Sequence, residues 1–163
     1  SDRLDPICQV IKRIREVIKP TIRYVKIDRY DTWSMDHTLS YIIHPMLVQL
    51  NKEKHGAPFT DDADVPDELK STSAPPKEND WDTDDNHFKR WDWIMNEMVW
   101  AFEQELKDDD EAQFFDHSES RGIEDWEERM DKLKVDREGL EAHQKRKANG
   151  YRLFGRYYQN LWD

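Results

Sequence analysis

The alternation of apolar and polar positions predicts a mainly α chain. Asp5-Pro6 reads as the N-cap and first-turn proline of a helix over residues 1–20. Ile7, Val10, Ile11, Ile14, Val17 and Ile18 recur there at helical spacing until Pro20 ends it. TIRYVKI (21–27) is β-prone but short, leaving room for a small β element. Asp31 or Ser34 then caps a second helix with Leu39, Ile42, Ile43, Met46, Leu47 and Leu50 as its apolar face. From 52 to 85 the period is lost in a segment with four prolines and many acidic or small residues, which reads as a long loop within the domain, of the kind used as lids or binding loops. A third helix begins near Asp85, a charged one near Ile123, and GYRLFGRYYQNLWD closes the chain as a helix with Tyr151, Phe154, Tyr158 and Leu161 on one side. The expected architecture is a single compact domain, 1–163, of four or five helices around one core.

The third helix poses the main functional question. At 100° per residue Phe88, Trp91, Ile94, Met95, Met98, Val99, Ala101, Phe102 and Leu106 share one wide arc, whereas Trp93 and Trp100 point the other way with Glu97 between them. Two accounts fit. The helix is central and packs on both faces, or the two indoles line a surface for a partner chain or a flat ligand that Glu97 orients. The second helix has a similar double character, with His37, Tyr41, His44 and Val48 off its apolar face. His37 and His44 lie two turns apart, too far to hold one metal from a single helix. Pro45 removes a hydrogen bond to the carbonyl of Tyr41 and weakly favours a pocket there.

Charge is distributed unevenly. The chain carries a net −11, yet residues 1–30 and 143–163 are each +4, so the segment between them is −19. Basic ends can pair with the acidic middle within a monomer or across a homo-oligomer, or face an anion. Arg152 and Arg156, at i and i+4 beside Tyr157, Tyr158 and Trp162, form the best anion-binding candidate by this reading. Gly-rich phosphate loops, the H-E-x-x-H zinc motif and a nucleophile elbow are all absent from the sequence, and no cofactor or metal is expected. The acidic run Asp61, Asp62, Asp64, Asp67 and Glu68 lacks the glycine and terminal glutamate of a calcium loop. The single cysteine, Cys8, forbids an intrachain disulfide, and SDRLDPIC does not look like a signal peptide, so a reducing cytoplasm is the expected compartment.

The strings YDTWSMDHTLSYIIHPMLVQL, HGAPF-x4-DVP, DDNHFKRWDWIMNEMVWAFEQ and RLFGRYYQNLWD resemble a family of small uncharacterised proteins encoded by tailed bacteriophages, from about Ile22 to the C-terminus. The resemblance supplies no catalytic residue. It implies a setting: the host bacterial cytoplasm, where small phage proteins bind and disable host components, including nucleotide signals of antiviral defence, or the virion. The leading expectation is a non-catalytic protein that captures a nucleotide-like molecule or a host protein. Its site would be a cleft made by Trp93, Trp100, Glu97, His37, Tyr41, His44, Arg152 and Arg156, with the 52–85 loop closing over it through His55 and Trp81. Its rivals are a metal-dependent nucleotide hydrolase, requiring Asp36, His37, Asp84, Asp85, His87 or Glu97 to converge, and a virion structural or assembly protein.

Overall fold

A computed structural model describes residues 26–162. The chain divides into two units, 1–33 and 34–163, and every element below belongs to the second. The helix expected over 1–20, Cys8 and most of TIRYVKI lie outside the described residues. Residues 26–28 form no strand.

The fold is mainly α. Among the described residues there are four α-helices: α1 (Met35–Glu53), α2 (His87–Glu105), α3 (Trp126–Lys132) and α4 (Arg137–Arg156). The β element is one antiparallel pair, β1 (Phe115–Asp116) with β2 (Lys134–Val135), Phe115 facing Val135 and Asp116 facing Lys134. It closes the base of an excursion that carries α3 out between α2 and α4. Side-chain caps start two of the helices. Asp125 accepts from Glu128 N at α3, and Asp136 accepts from Gly139 N at α4. Ser34 occupies the N-cap of α1 without a side-chain bond, and the helix runs on through Pro45.

Helix α2 is central. α1 packs against one side of it and α4 against another. Ile94, Met95, Met98 and Ala101 are fully buried and Trp91 nearly so, and they meet Leu47 of α1 and Leu153 and Tyr157 from the end of α4. Its polar positions are buried as well: His87, Arg90, Glu97 and Gln104. The packing account of the double-faced helix is therefore the one observed. Phe88, expected in the core arc, is exposed in the first turn of α2, its ring edge-on to His87.

The closest approach of α2 and α4 is at Gly150. A Cβ there would overlap that of Ala101 and lie 2.7 Å from the Glu97 carbonyl oxygen. Glycine lets the two backbones touch at that level. Helix α1 runs antiparallel to α2: His37 sits by Glu105, Asn51 Nδ2 donates to Asn96 Oδ1 and Lys54 pairs with Asp92.

The 52–85 segment is long, as expected, but it is held down. Three 3-10 turns, Asp62–Asp64, Asp67–Leu69 and Ser71–Ser73, succeed one another, and Val65 inserts into the core. No sustained hydrophobic period could reveal this, because the anchors are scattered: Ala57, Val65 and Leu69 pack against the core singly, between side-chain hydrogen bonds.

Candidate functional site

The expected site residues divide into groups that the fold keeps apart in role. Glu97 is buried and held by Arg146 of α4, whose Nε donates to Oε2 at 3.0 Å and whose Nη2 donates to Oε1 at 2.7 Å. The same guanidinium lies 4.0 Å from the centre of the Trp100 ring, and the His143 imidazole meets that ring edge-on at 5.2 Å. Trp93 is half-buried and packs against the core. What covers Trp100 and Glu97 is thus the polar side of α4, which the sequence reading had not considered as a packing partner. The carboxylate between tryptophans is ion-paired.

Arg152 and Arg156 are also engaged, contrary to their expected role as a free anion clamp. Arg152 Nη1 donates to Asp64 Oδ1 at 2.7 Å, Arg156 Nε reaches Asp64 Oδ2 at 2.9 Å, and Arg156 Nη2 donates to Asp61 Oδ2 at 2.8 Å. The Tyr157 hydroxyl donates to Asp64 Oδ2 and accepts from Asp61 N. Asp64 is almost wholly buried. Burial works to raise its pKa, but the hydrogen bonds from Tyr157 and Arg152 and the charges of both arginines outweigh it and hold the carboxyl below its usual range. The loop's own aspartates thus occupy the anion site. The anions that face these arginines in the structure belong to the chain itself.

A second polar anchor fastens the loop to the start of α2. Arg90 binds Asp84 through two bonds of 2.8 and 2.7 Å and donates to the Leu69 carbonyl, while His87 Nε2 contacts the Ala57 carbonyl. The hydrogen bonds from Arg90 depress the Asp84 pKa to about 2. Asp84, His87 and Arg90 border a cleft of about 450 Å³ with Phe59, Pro75 and Lys77. Arg90 was not foreseen; its only sequence signal was a basic residue on a helix face otherwise read as apolar. His55 and Trp81, the expected loop contacts, are both exposed.

A third network joins α2 to α4. Asp110 Oδ2 lies 3.1 Å from His143 Nε2 and accepts from Lys147 Nζ at 3.0 Å. Lys147 also reaches Glu105 Oε2, which accepts from the Tyr151 hydroxyl at 2.6 Å. His143, Lys147 and Tyr151 lie at i, i+4 and i+8 on α4, a spacing not singled out from the sequence.

On α1 the structure corrects the assignment of faces. His37, Ser40, His44, Leu47 and Asn51, spaced by three and four, turn toward α2. His37 Nδ1 contacts the Glu105 carbonyl at 2.9 Å, and Ser40 and Leu47 are buried. Of the residues expected in the core, Ile43, Leu47 and Leu50 are there, whereas Leu39, Ile42 and Met46 face outward. Tyr41 is exposed, its ring edge against His37. So His37 belongs to the interface with the end of α2, and His44 is half-buried.

Among the described residues no three His, Cys, Asp or Glu side chains converge in a way that could hold a metal ion. The groups required by the hydrolase reading are spread over separate partners: Asp84 on Arg90, His87 on a loop carbonyl, Glu97 on Arg146 and His37 on the end of α2.

Two surfaces carry apolar groups outward. One is an apolar groove of about 490 Å³ where Ile43, Met46 and Leu50 of α1 face Phe154, Tyr158 and Leu161. The other is a cleft of about 510 Å³ between the β pair and α3. In comparisons with known proteins, no family model, no curated protein and no solved structure matches this chain.

Proposed function

We propose that this chain is a non-catalytic binding protein whose partner is another protein, engaged through the outer face of α1. One observation carries the reading: α1 sends Ile43, Leu47 and Leu50 inward yet still exposes a second apolar stripe. Met35, Leu39, Ile42 and Met46 are 57%, 41%, 40% and 61% exposed. They succeed one another at intervals of four, three and four residues, the repeat of a helix–helix seam. A stripe of that spacing suits the apolar face of a partner helix laid along α1, with the groove beside Phe154 and Tyr158 taking one larger side chain. A contiguous apolar surface of this kind is costly to leave in water and marks an interaction site more often than chance.

The resemblance to proteins of tailed phages supplies the setting. In it the partner is a bacterial protein that the phage product binds and blocks, which fits a counter-defence role in the host cytoplasm. No helix among the described residues is long and apolar enough to cross a membrane.

The test places a photo-crosslinking amino acid at Ile42, and separately at Glu138 on α4 as a control, in the protein expressed in bacteria. The reading expects a discrete crosslinked host protein from position 42 alone. That protein, once purified, should bind wild-type chain and fail to bind Leu39→Glu and Met46→Glu variants that melt at the wild-type temperature. Crosslinking only to a second copy of the chain would make the stripe a self-interface and end the host-partner reading.

A further inference from the structure

The excursion between α2 and α4 holds a cleft that the expected site did not include and that shares no residue with the α1 stripe. Its floor is apolar, from Phe115, Met130 and Leu133, and its rim is cationic and aromatic, from Arg121, Arg129 and Trp126, with the exposed His117 imidazole beside them. The surrounding sequence is acidic: residues 115–135 carry seven Asp and Glu against four Lys and Arg. None of those carboxylates lines the cleft. Several have visible work elsewhere. Asp116 accepts from Ser118 N, Glu119 pairs with Lys134, and Asp125 caps α3.

The two arginines are different. Every other arginine that lines one of the described clefts or sites, namely Arg90, Arg146, Arg152 and Arg156, has a carboxylate partner. The side chains of Arg121 and Arg129 form no ion pair or hydrogen bond among the described residues. Arg129 lies 5.4 Å from the centre of the Trp126 ring, one turn away on α3, and the indole is 64% exposed. A protein this rich in carboxylates leaves two guanidiniums unpaired in one concavity, next to a bare indole.

Local backbone geometry builds the arrangement. Ser120 N and Oγ both donate to the His117 carbonyl, which closes the turn. Gly122 follows at φ 85°, a conformation that costs glycine little and other residues more, and it redirects the chain into the start of α3. Arg121 and Trp126 thereby border the same space.

We infer that this cleft binds a small ligand combining a flat aromatic ring with a phosphate, of the nucleoside monophosphate class. The phosphate meets the Arg121 and Arg129 guanidiniums, whose planar forks match its oxygens. The base stacks on Trp126 above the Met130 and Leu133 side chains. A volume of about 510 Å³ falls within the range of small-molecule sites.

The experiment is a calorimetric titration of the full chain with the four common nucleoside 5′-monophosphates, and with adenosine and inorganic phosphate as half-ligands. It is paired with ¹H–¹⁵N spectra in which the Trp126 indole signal is assigned from Trp126→Phe. At least one monophosphate should bind and shift that indole, with each half-ligand at least about tenfold weaker. Arg121→Ala and Arg129→Ala should each weaken binding by about tenfold, whereas Arg137→Ala, an exposed arginine outside the cleft, should change nothing. All three are surface substitutions, so melting temperatures should stay at the wild-type value. Two results would overturn the inference: no monophosphate bound at millimolar concentration, or binding that survives the Arg121→Ala/Arg129→Ala double variant. Neither result bears on the α1 surface.

Discussion

Gly150→Ala offers a sharp test of how α2 and α4 meet. In an isolated helix the change stabilises by roughly 0.5–1 kcal/mol, because alanine loses less backbone freedom. Here the new methyl would overlap Ala101 Cβ and lie 2.7 Å from the Glu97 carbonyl oxygen. Neither neighbour is the end of a flexible side chain, so relief requires the helices to move apart and loosens the packing of Met98 and Leu153 around the crossing. Overpacking of this sort costs about 1–3 kcal/mol, and two rigid contacts place it near the upper end. The net expectation is a loss of about 2 kcal/mol, which for a chain of this size lowers Tm by roughly 4–8 °C. Thermal unfolding followed by circular dichroism, with urea titration for the free energy, measures it. Ala101→Gly costs about 1 kcal/mol on its own, yet in the Gly150→Ala background it should recover part of the loss by removing one of the two contacts. A Gly150→Ala variant as stable as wild type or more so, or additivity with Ala101→Gly, would refute the close crossing.

Three further outcomes follow from the polar networks. Arg146→Met should destabilise more than Glu97→Gln, because it strands a buried carboxylate whereas the amide keeps hydrogen-bonding capacity; the ranking by urea unfolding is the test. Asp84 has its folded pKa lowered to about 2, and those of Asp64 and Asp110 are lowered as well. Their stabilisation is therefore complete above the unfolded carboxylate value near 4 and disappears as pH falls through the folded values. Asp84 alone contributes on the order of 2 kcal/mol to that window, so the urea midpoint should fall between about pH 4 and 2 and do so less steeply in Asp84→Asn. Tyr157→Phe removes a hydrogen bond to buried Asp64 and leaves Asp61 N without its acceptor, at a cost of about 1–3 kcal/mol. Hydrogen exchange should then quicken around residues 61–65 before it does in α2.

The local pattern by itself located α1, α2 and the long interruption at 52–85, but it misplaced the last helix: α4 starts at Arg137 and ends at Arg156, whereas the pattern put a helix over GYRLFGRYYQNLWD. Helical spacing of apolar residues over three or four turns is a property of the chain alone; the aspartates that cap α3 and α4 went unread. Pattern also identified α2 as a helix with two working faces. What it could not determine was the occupant of the second face. Trp100 and Glu97 look the same whether a ligand or the polar side of α4 lies on them, because a neighbour 49 residues along the chain leaves no local trace. The same limit explains Arg152 and Arg156. Their need for an anion was legible, but that Asp61 and Asp64 return to supply it depends on the path of the loop. For α1, hydropathy assigned the apolar stripe to the interior, and the tertiary structure reversed part of it. The end of α2 offers a carbonyl to half-buried His37, and the side-chain amide of Asn96, midway along α2, accepts from Asn51; α1 turned to make these bonds leaves Leu39, Ile42 and Met46 outward. Sequence thus decided that the chain is mainly helical and where α1 and α2 lie, while the bounds of α4 and the rotation of each helix about its own axis were decided only in the assembled fold, where long-range hydrogen bonds and ion pairs compete with hydrophobic burial.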